Sequence, residues 1–211
     1  MSSVDAEKIR DLRHRTGAGM LDCKVALSEC GGDFDKAIDF LKKKGLASAL
    51  KKTGRVAKEG RVHSYIHGPG KVGVLLEVNC ETDFVANTDE FKALAHDLAM
   101  HIAACSPQYL SREFVPASAL EVEEMNWTQE AEKLGKPANV VAKMVEGKRN
   151  KWYSEVCLLD QPFVKDPAQS VTQMIQEGIA RLGENVLIRR YVRFQLGEDL
   201  LAQKTEESQK S

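Results

Sequence analysis

The hydrophobic pattern changes period near the middle of the chain. Alternate positions from 72 to 78 are apolar, which predicts a strand with one buried face, and positions 91 to 102 repeat at the helical spacing of three and four. The residues of the two patterns are Val72, Val74, Leu76 and Val78, followed by Phe91, Leu94, Ala95, Leu98 and Ile102. Asn87 is predicted to cap the helix, with the Glu90 side chain returning to the cap amide. Residues 81–86 are then predicted to be a short connection.

Phe84 is the residue of this connection whose environment bears most on function. One interpretation folds Phe84 back onto the sheet as part of the core, and spacing alone favours it. The other leaves Phe84 exposed beside the acidic residues Glu81 and Asp83, as an aromatic anchor for a partner. The pattern of the chain leaves both interpretations open.

The first 45 residues predict three short helices. Gly31 and Gly32 separate the second from the third, which Asp33 is predicted to cap and which is predicted to end before Gly45 after a basic last turn. The apolar positions that mark the three helices are Val4, Ile9 and Leu12, then Leu21, Val25 and Leu27, then Phe34, Ala37, Ile38 and Leu41. The pattern indicates a compact helical module.

A β-hairpin is predicted after this module. Positions 62–66 alternate, and Gly68-Pro69-Gly70 turns the chain into the strand that starts at Val72. Residues 68–73 also match the dinucleotide pattern G-x-G-x-x-G, but that pattern works by leading into a helix, whereas here it leads into a strand. The other motifs of a protein kinase are missing as well. Direct nucleotide binding is therefore not expected.

The second half of the chain predicts more helices and one more strand. Pro116 is expected to start a short helix, and Pro137 a longer one that reaches Val156 and packs across the sheet. Residues 161–167 are predicted to be an extended breaker, ahead of a helix that Gly183 ends. The apolar positions of that helix and of the predicted third strand are Val171, Met174, Ile175, Ile179 and Leu182, then Val186, Ile188, Val192, Phe194 and Leu196.

Composition and charge narrow the class of protein. Of the 211 residues, 43% are hydrophobic and 29% are charged, with a net charge of -1, which is typical of a globular protein of one small and one larger unit. A nucleic-acid binder usually has a strong basic excess. Residues 42–61 are locally basic, with eight Lys or Arg against Glu59 alone. A solvated helix end and linker explains such a run more often than phosphate contact does.

Residue types that carry chemistry are scattered. The five cysteines include no Cys-x-x-Cys pair, and the five histidines never fall into metal-ligand spacing. Reduced structural thiols and surface or packing histidines are therefore expected, with no catalytic, metal or cofactor site. No run approaches the roughly 18 apolar residues of a membrane helix, and the start of the chain is too polar for a signal peptide. A cytoplasmic protein without membrane contact is expected.

Two long motifs resemble one protein family. The run Glu77–Asn87 contains Thr82-Asp83-Phe84-Val85, and the run Leu12–Leu27 precedes it. Both are similar to the signatures of bacterial elongation factor Ts, and residues 161–167 resemble a further segment of that family. Longer family members carry an inserted coiled-coil hairpin and a second core repeat. Since the sequence has neither sustained heptads nor a duplicated strand–helix unit, it resembles the short form.

The resemblance implies a guanine-nucleotide exchange factor for elongation factor Tu. Such a factor binds the GDP complex, disturbs the magnesium and nucleotide site, and stays bound until GTP binds. It makes no covalent bond, so no enzyme, cofactor or nucleic-acid partner is implied, and a homodimer is expected because the sheet has exposed edges. The implied contacts with elongation factor Tu are Thr82, Asp83, Phe84 and Val85, which dislocate magnesium, and Arg13, Gly19, Met20 and Leu21 in the N-terminal region.

The predicted fold class is α+β. The resemblance implies a three-helix ubiquitin-associated-like domain with a basic linker at residues 1–53. A core domain at 54–198, with a three-stranded antiparallel sheet packed against helices, and a polar, disordered tail at 199–211 follow. An alternative function is a ubiquitin-associated-type adaptor that binds a peptide or RNA, but it leaves Thr82–Val85 without a role. An enzyme is a third possibility, which the missing acid–base and nucleophile motifs argue against.

Overall fold

A computed structural model describes residues 6–16 and 18–198 of the chain. Its elements in chain order are α1 (Ala6–Thr16), α2 (Met20–Glu29), α3 (Phe34–Lys52), β1 (Glu59–His67), β2 (Val72–Cys80), α4 (Asp83–Ala86), α5 (Asp89–Cys105), α6 (Ala117–Lys133), α7 (Ala138–Val156), β3 (Pro162–Phe163), β4 (Asp166–Ser170), α8 (Val171–Leu182) and β5 (Leu187–Gln195). Strands β1, β2 and β5 form a three-stranded antiparallel sheet in that order, and β3 pairs with β4. The α+β class is therefore confirmed.

The chain divides into two compact units, each built from separate stretches of sequence. The first comprises the residues up to Arg61, Asn79–Leu94 and Ala168–Leu187. The second comprises Val62–Val78, Ala95–Pro167 and the residues from Ile188. Helices α1–α3 thus share a unit with α8 and with the turn that follows β2. The predicted division into domains at residue 53 stays a prediction.

Helices α1, α2 and α3 pack around an apolar cluster of their own. Its buried members are Ile9, Leu12, Cys23, Ala26, Leu27, Ala37 and Leu41. Of the residues that predicted α2, Leu27 is buried, but Leu21 and Val25 are 80% and 45% exposed. Leu21 and Val25 lie one turn apart on the outer side of α2. The inner side has the small residues Cys23 and Ala26, which allow the neighbouring helices to pack closely. Val4 lies outside the described residues.

Helix α3 extends beyond the end predicted for it at Gly45. Asp33 caps its start as predicted, with the carboxylate accepting from the Lys36 backbone N–H at 3.1 Å. The prediction of its end is wrong because Gly45 serves close packing: a Cβ at this position would lie 3.2 Å from the Ala180 Cβ of α8. The next residues, 46–50, are rich in leucine and alanine, which favour continuation of the helix.

Strands β1 and β2 form the predicted hairpin. Gly68 and Gly70 have φ angles of +49° and +86°, a conformation that favours glycine, and the Gly70 N–H donates to the His67 carbonyl at 3.1 Å. The glycine run from 68 to 73 therefore closes a turn between two strands and opens no helix. The predicted third strand is confirmed as β5.

Helix α5 packs along the inner face of the sheet in the second unit. The ring centroids of His63 and Tyr65 lie 5.5 Å and 5.3 Å from that of His96. The guanidinium of Arg193 donates to the Ala103 carbonyl at 3.3 Å. All five residues of the predicted apolar stripe from 91 to 102 are buried. The helical period near the middle of the chain thus correctly predicted the buried face.

His101 joins α5 to the extended segment at 161–167. Its Nε2 lies 2.9 Å from the Gln161 Oε1, and its Nδ1 accepts from the Val164 backbone N–H at 3.2 Å. Because Nδ1 is an acceptor, the ring proton is on Nε2. Burial lowers the pKa of His101, although the hydrogen bond to Gln161 opposes this shift. The histidine is a neutral packing residue, as the sequence predicted.

Helices α6 and α7 pack against each other in the second unit. Pro116 and Pro137 are the N-cap residues that precede them rather than their first residues, and α6 is longer than the short helix predicted. The prediction that α7 packs across the sheet is wrong, since its main contacts are with α6 and with the turn that follows it. An edge-to-face contact between Trp127 and Trp152, with centroids 6.1 Å apart, fills the space between the two helices.

The predicted end of α8 at Gly183 is confirmed, and the structure adds the cap at its start. Ser170 and Gln173 form a reciprocal capping box at its start, with bonds of 3.2 Å and 2.8 Å, and Gly183 ends it with a φ of +80°. The five cysteines are free thiols, as predicted. Within residues 6–16 and 18–198, no helix has the length and apolar character needed to cross a membrane. The predicted tail from residue 199 lies outside the described part of the chain.

Gly178 of α8 tests the packing within the first unit. A Cβ at this position would lie 2.9 Å from Cδ2 of Leu94, whose side chain is buried. Gly147 of α7 has open space, so its replacement by alanine adds helix propensity without a clash. We expect Gly178→Ala to be less stable than Gly147→Ala by about 1–3 kcal/mol because of overpacking. Urea denaturation measures the difference, and equal stabilities would contradict the close packing of Gly178 on Leu94.

Candidate functional site

The segment predicted to be a loop after β2 is the one-turn helix α4. Thr82 caps it, with its side-chain oxygen accepting from the Val85 N–H at 3.3 Å. Two backbone bonds within the turn, from Ala86 to Thr82 and from Asn87 to Asp83, measure 3.2 Å and 3.1 Å. The predicted connection is therefore a hydrogen-bonded turn with a defined geometry. We call residues 81–87 the α4 turn.

The prediction that Asn87 caps the following helix is wrong. Asn87 ends α4 instead, and its side-chain N–H donates back to the Asp83 carbonyl at 2.9 Å. Thr88 caps α5, because its hydroxyl oxygen accepts from the Phe91 N–H at 3.2 Å. Glu90 pairs with Arg181 of α8 at 2.8 Å, so it makes no reciprocal cap. A second short helix immediately before α5 moves the cap by one residue.

Phe84 projects from the α4 turn into solvent. Its side chain is 79% exposed, whereas Val85 and Ala86, which follow it, are 8% and 3% exposed. The interpretation of Phe84 as a core residue is therefore wrong. Thr82 and Asp83 are exposed beside it, and Val85 holds the turn against the interior. An exposed ring on a turn with a buried base is a suitable shape for insertion into a partner.

Glu184, the second residue after α8, binds the start of the α4 turn. Its Oε2 accepts from the backbone N–H groups of Glu81 and Thr82 at 3.1 Å and 3.0 Å. Its Oε1 accepts from the Thr82 hydroxyl at 2.6 Å. A single carboxylate thus satisfies three donors at the end of β2. Hydrogen bonds to an ionised acceptor are stronger than those between neutral groups.

Glu81 makes the reverse connection from the α4 turn. Its carboxylate accepts from the Asn185 N–H at 2.7 Å and lies 3.7 Å from the Arg55 guanidinium. The Asn185 side chain in turn donates to the Arg55 carbonyl at 2.8 Å. Asn185 is only 4% exposed, so its polar groups need these partners. Reciprocal bonds therefore join the end of β2 to the residues before β5.

Cys80 lies beneath the same turn. Its thiol is fully buried and donates to the Thr82 carbonyl at 3.1 Å. Burial, and secondarily the negative charge of Glu184, raises the pKa of Cys80 to about 11. The thiol is therefore protonated at neutral pH, and it acts as a donor rather than as a nucleophile.

The N-terminal residues implied as contacts are also at the surface. Arg13 is in the last turn of α1, and Gly19 is the residue before α2. Both are exposed, and Met20 and Leu21 are 43% and 80% exposed. A groove of about 640 Å³ begins beside Gly19 and continues between α3 and α8. These side chains are accessible to a partner without rearrangement of the fold.

The structure places both predicted contact groups in the first unit, and it adds residues that the sequence analysis missed. Glu184 and Asn185 support the α4 turn although they are more than 100 positions away along the chain. Their only sequence signal is a pair of polar residues directly after the Gly183 helix end and ahead of an apolar strand. The site offers an exposed aromatic ring and acidic groups on a supported turn, an arrangement suited to binding.

Comparison with known proteins identifies similar sequences. The family model described as Elongation factor TS matches residues 36–199. The chain is 56% identical over 197 residues to the elongation factor Ts of Carboxydothermus hydrogenoformans, covering 93% of this chain and 91% of that protein. It is 54% identical over 204 residues to that of Geobacter metallireducens, with coverages of 97% and 94%. It is 55% identical over 197 residues to that of Thermoanaerobacter sp. strain X514, with coverages of 93% and 97%.

The exposure of Phe84 can be tested through stability. Phe84→Ala is expected to change the free energy of unfolding by less than about 0.5 kcal/mol, because surface substitutions rarely cost more. Phe91→Ala is the matched buried control, since Phe91 is 0% exposed, and it is expected to cost about 3–5 kcal/mol. Thermal unfolding followed by circular dichroism compares the two variants. A similar loss of stability in both variants would indicate that Phe84 is part of the core.

Proposed function

This chain belongs to the elongation factor Ts family, with a role in translation elongation, and from that premise we propose that it is the guanine-nucleotide exchange factor for elongation factor Tu. It binds the GDP complex of the GTPase, weakens the hold on magnesium and nucleotide, and leaves when GTP binds. The observation that carries the proposal is the exposure of Phe84, 79%, on a supported turn. The protein forms and breaks no covalent bond, and it needs no cofactor.

The proposed mechanism is a wedge. Nucleotide and magnesium hold a GTPase in its closed state, so a ring inserted beside the elements that hold magnesium lowers the affinity for GDP. Phe84 is the wedge, Thr82 and Asp83 are exposed beside it, and the buried Val85 holds the base of the turn in the interior. Coupling between two binding sites is reciprocal, so GDP must weaken binding of the factor by the same ratio. Exchange then needs only a short-lived complex of all three components.

Helices α1–α3 have the proposed role of docking. They form a ubiquitin-associated-like module whose exposed residues Arg13, Gly19, Met20 and Leu21 contact the GTPase apart from the wedge. Leu21 stands where the family often has a methionine, and its 80% exposure leaves it free for such a contact. Exposed apolar side chains beside a cation suit a partner surface of mixed character. Docking raises the local concentration of the wedge at the nucleotide site.

The adaptor alternative has less support from the structure. It relies on the basic residues of 42–61 for binding a peptide or RNA. Two of these are already paired, Lys44 with Asp22 at 2.8 Å and Arg55 with Glu81 at 3.7 Å. The adaptor function also gives no reason for an exposed Phe84. The exchange function gives the exposed Phe84 a role and does not require the basic run.

A homodimer is proposed from the outer face of the three-stranded sheet. Six apolar side chains on this face are exposed: Val62, Ile66, Leu75, Val192, Phe194 and Leu196. On the same face the charges of Glu77 and Arg190 compensate each other in an ion pair at 2.7 Å. Exposed apolar patches of this kind mark interaction surfaces. The edge strands β1 and β5, on which the expectation from sequence rested, border this face.

Removal of the Phe84 ring tests the wedge. A central interface aromatic typically contributes about 2 kcal/mol or more, so Phe84→Ala is expected to lower exchange efficiency roughly thirtyfold. The rate of release of labelled GDP from elongation factor Tu gives this efficiency. Phe114→Ala is the matched control, because Phe114 is also exposed, to 62%, and has no proposed contact. Equal activity of the two variants would eliminate Phe84 as the wedge.

Light scattering tests the dimer. The wild-type chain is expected to show the dimer mass at high concentration, and Phe194→Asp to be monomeric, because a carboxylate cannot be buried unpaired in the apolar face. Phe114→Asp places the same charge on another exposed phenylalanine and is expected to stay dimeric. A monomeric wild-type chain would contradict the proposal, and a dimeric Phe194→Asp variant would contradict the assignment to this face.

A further inference from the structure

We propose that Glu184 is a positioning residue for exchange: it acts through the α4 turn and touches neither nucleotide nor GTPase. The inference rests on the proposed function and adds a residue that positions the same site. Its basis is the set of three hydrogen bonds that the Glu184 carboxylate accepts from Glu81 and Thr82, at 3.1, 3.0 and 2.6 Å. Phe84 follows two residues after Thr82.

The geometry of these bonds fixes orientation as well as position. Both carboxylate oxygens take part: one accepts the two consecutive N–H groups, and the other accepts the Thr82 hydroxyl. The same Thr82 oxygen accepts from the Val85 N–H, so the carboxylate is linked directly to the cap of α4. Rotation of the first residues of the turn would break several bonds at once. The direction of the α4 axis, and with it the exit of the Phe84 side chain, therefore depends on Glu184.

The bonds lie where they contribute more to local order than to global stability. Thr82 is exposed and Glu184 is half-buried, so water can replace each bond in part. The buried residues Cys80, Val85 and Ala86 hold the base of the turn without Glu184. Loss of the carboxylate is thus expected to loosen the turn while the core stays intact. A loosened turn must be reordered when it inserts into a partner, which lowers the efficiency of insertion.

Glu184 also places the turn under the control of α8. Gly183 ends that helix, and Glu184 is the next residue of the chain. Helix α8 packs on α3 through Gly45 and Ala180 and pairs with Glu90 through Arg181. A positioning residue at the end of a packed helix keeps the wedge in register with the rest of the first unit. The Asn185 backbone N–H donates in turn to the Glu81 carboxylate at 2.7 Å, and this bond stabilises the same junction.

The test compares Glu184→Ala and Glu184→Gln with the wild-type chain. Alanine removes all three acceptor contacts. We expect the exchange efficiency of Glu184→Ala, measured as acceleration of GDP release from elongation factor Tu, to be about tenfold lower than that of the wild type. Glutamine keeps the size of the side chain: its oxygen can accept both backbone N–H groups and its NH₂ can donate to the Thr82 hydroxyl. We therefore expect Glu184→Gln to restore exchange to within about threefold of wild type. Glu113→Ala, at an exposed glutamate outside the proposed contacts, is the control and is expected to match wild type.

Two further measurements separate positioning from a general loss of structure. Hydrogen exchange of the Glu81 and Thr82 amides, followed by NMR, is expected to become at least about tenfold faster in Glu184→Ala, while the amides of α5 stay protected. In a Phe84→Ala background, Glu184→Ala is expected to lower exchange efficiency by less than about twofold further, because its effect passes through the ring.

The outcomes distinguish this inference from the proposed function. A wild-type chain that fails to accelerate GDP release overturns the proposed function, and the inference with it. If the wild type and Glu184→Ala accelerate GDP release equally, the inference alone is overturned. It is also overturned if hydrogen exchange of the Glu81 and Thr82 amides is the same in Glu184→Ala as in the wild type. A full tenfold loss in the Phe84→Ala background also overturns it. If Glu184→Ala does not fold, Glu184→Gln decides the test. An active Glu184→Gln variant with protected Glu81 and Thr82 amides supports the inference, and a Glu184→Gln variant that folds but is inactive overturns it.

Discussion

The free energy of an apolar ring in water falls when the ring folds back onto the nearest apolar surface. The backbone beneath Phe84 prevents its ring from doing so. The α4 turn is hydrogen-bonded within itself, its base is buried through Val85 and Ala86, and its first amides are held by Glu184. Each of these constraints acts on a different part of the turn. Together they leave the ring 79% exposed in a defined direction, which is the state a wedge requires.

That constraint depends in turn on how α8 is packed in the first unit. Two glycines permit the close contacts: Gly45 of α3 lies against Ala180, and Gly178 of α8 lies against Leu94. With the helix in this position, its end at Gly183 delivers Glu184 and Asn185 to the end of β2. The two glycines therefore affect the order of the α4 turn, although neither helix contains it. The proposed function of the exposed ring depends on the packing beneath the turn.

Local signals in the sequence predicted much of the fold. The periods of β2 and α5, the Asp33 cap, the glycine turn of the hairpin and the Gly183 helix end are each determined by residues a few positions apart, and each is confirmed. The error at Gly45 arose from a distant partner: this glycine is typical of a helix end but serves packing on Ala180. The error at Asn87 arose locally, because Asn87 is typical of an N-cap but closes a one-turn helix that is too short to show a periodic pattern. The site was predicted from the resemblance of Thr82–Val85, whereas Glu184 needed the three-dimensional fold, since nothing in its spacing connects it to Thr82.

Release of labelled GDP from purified elongation factor Tu, followed at increasing concentrations of the wild-type chain, tests the proposed exchange function most directly. The release rate is expected to rise with the concentration of the chain and to reach a plateau when the complex is saturated. Excess GDP is expected to weaken binding of the chain to the GTPase by the same ratio that the chain weakens binding of GDP. A release rate that stays at its spontaneous value over the whole range, with the chain folded, would contradict the exchange function.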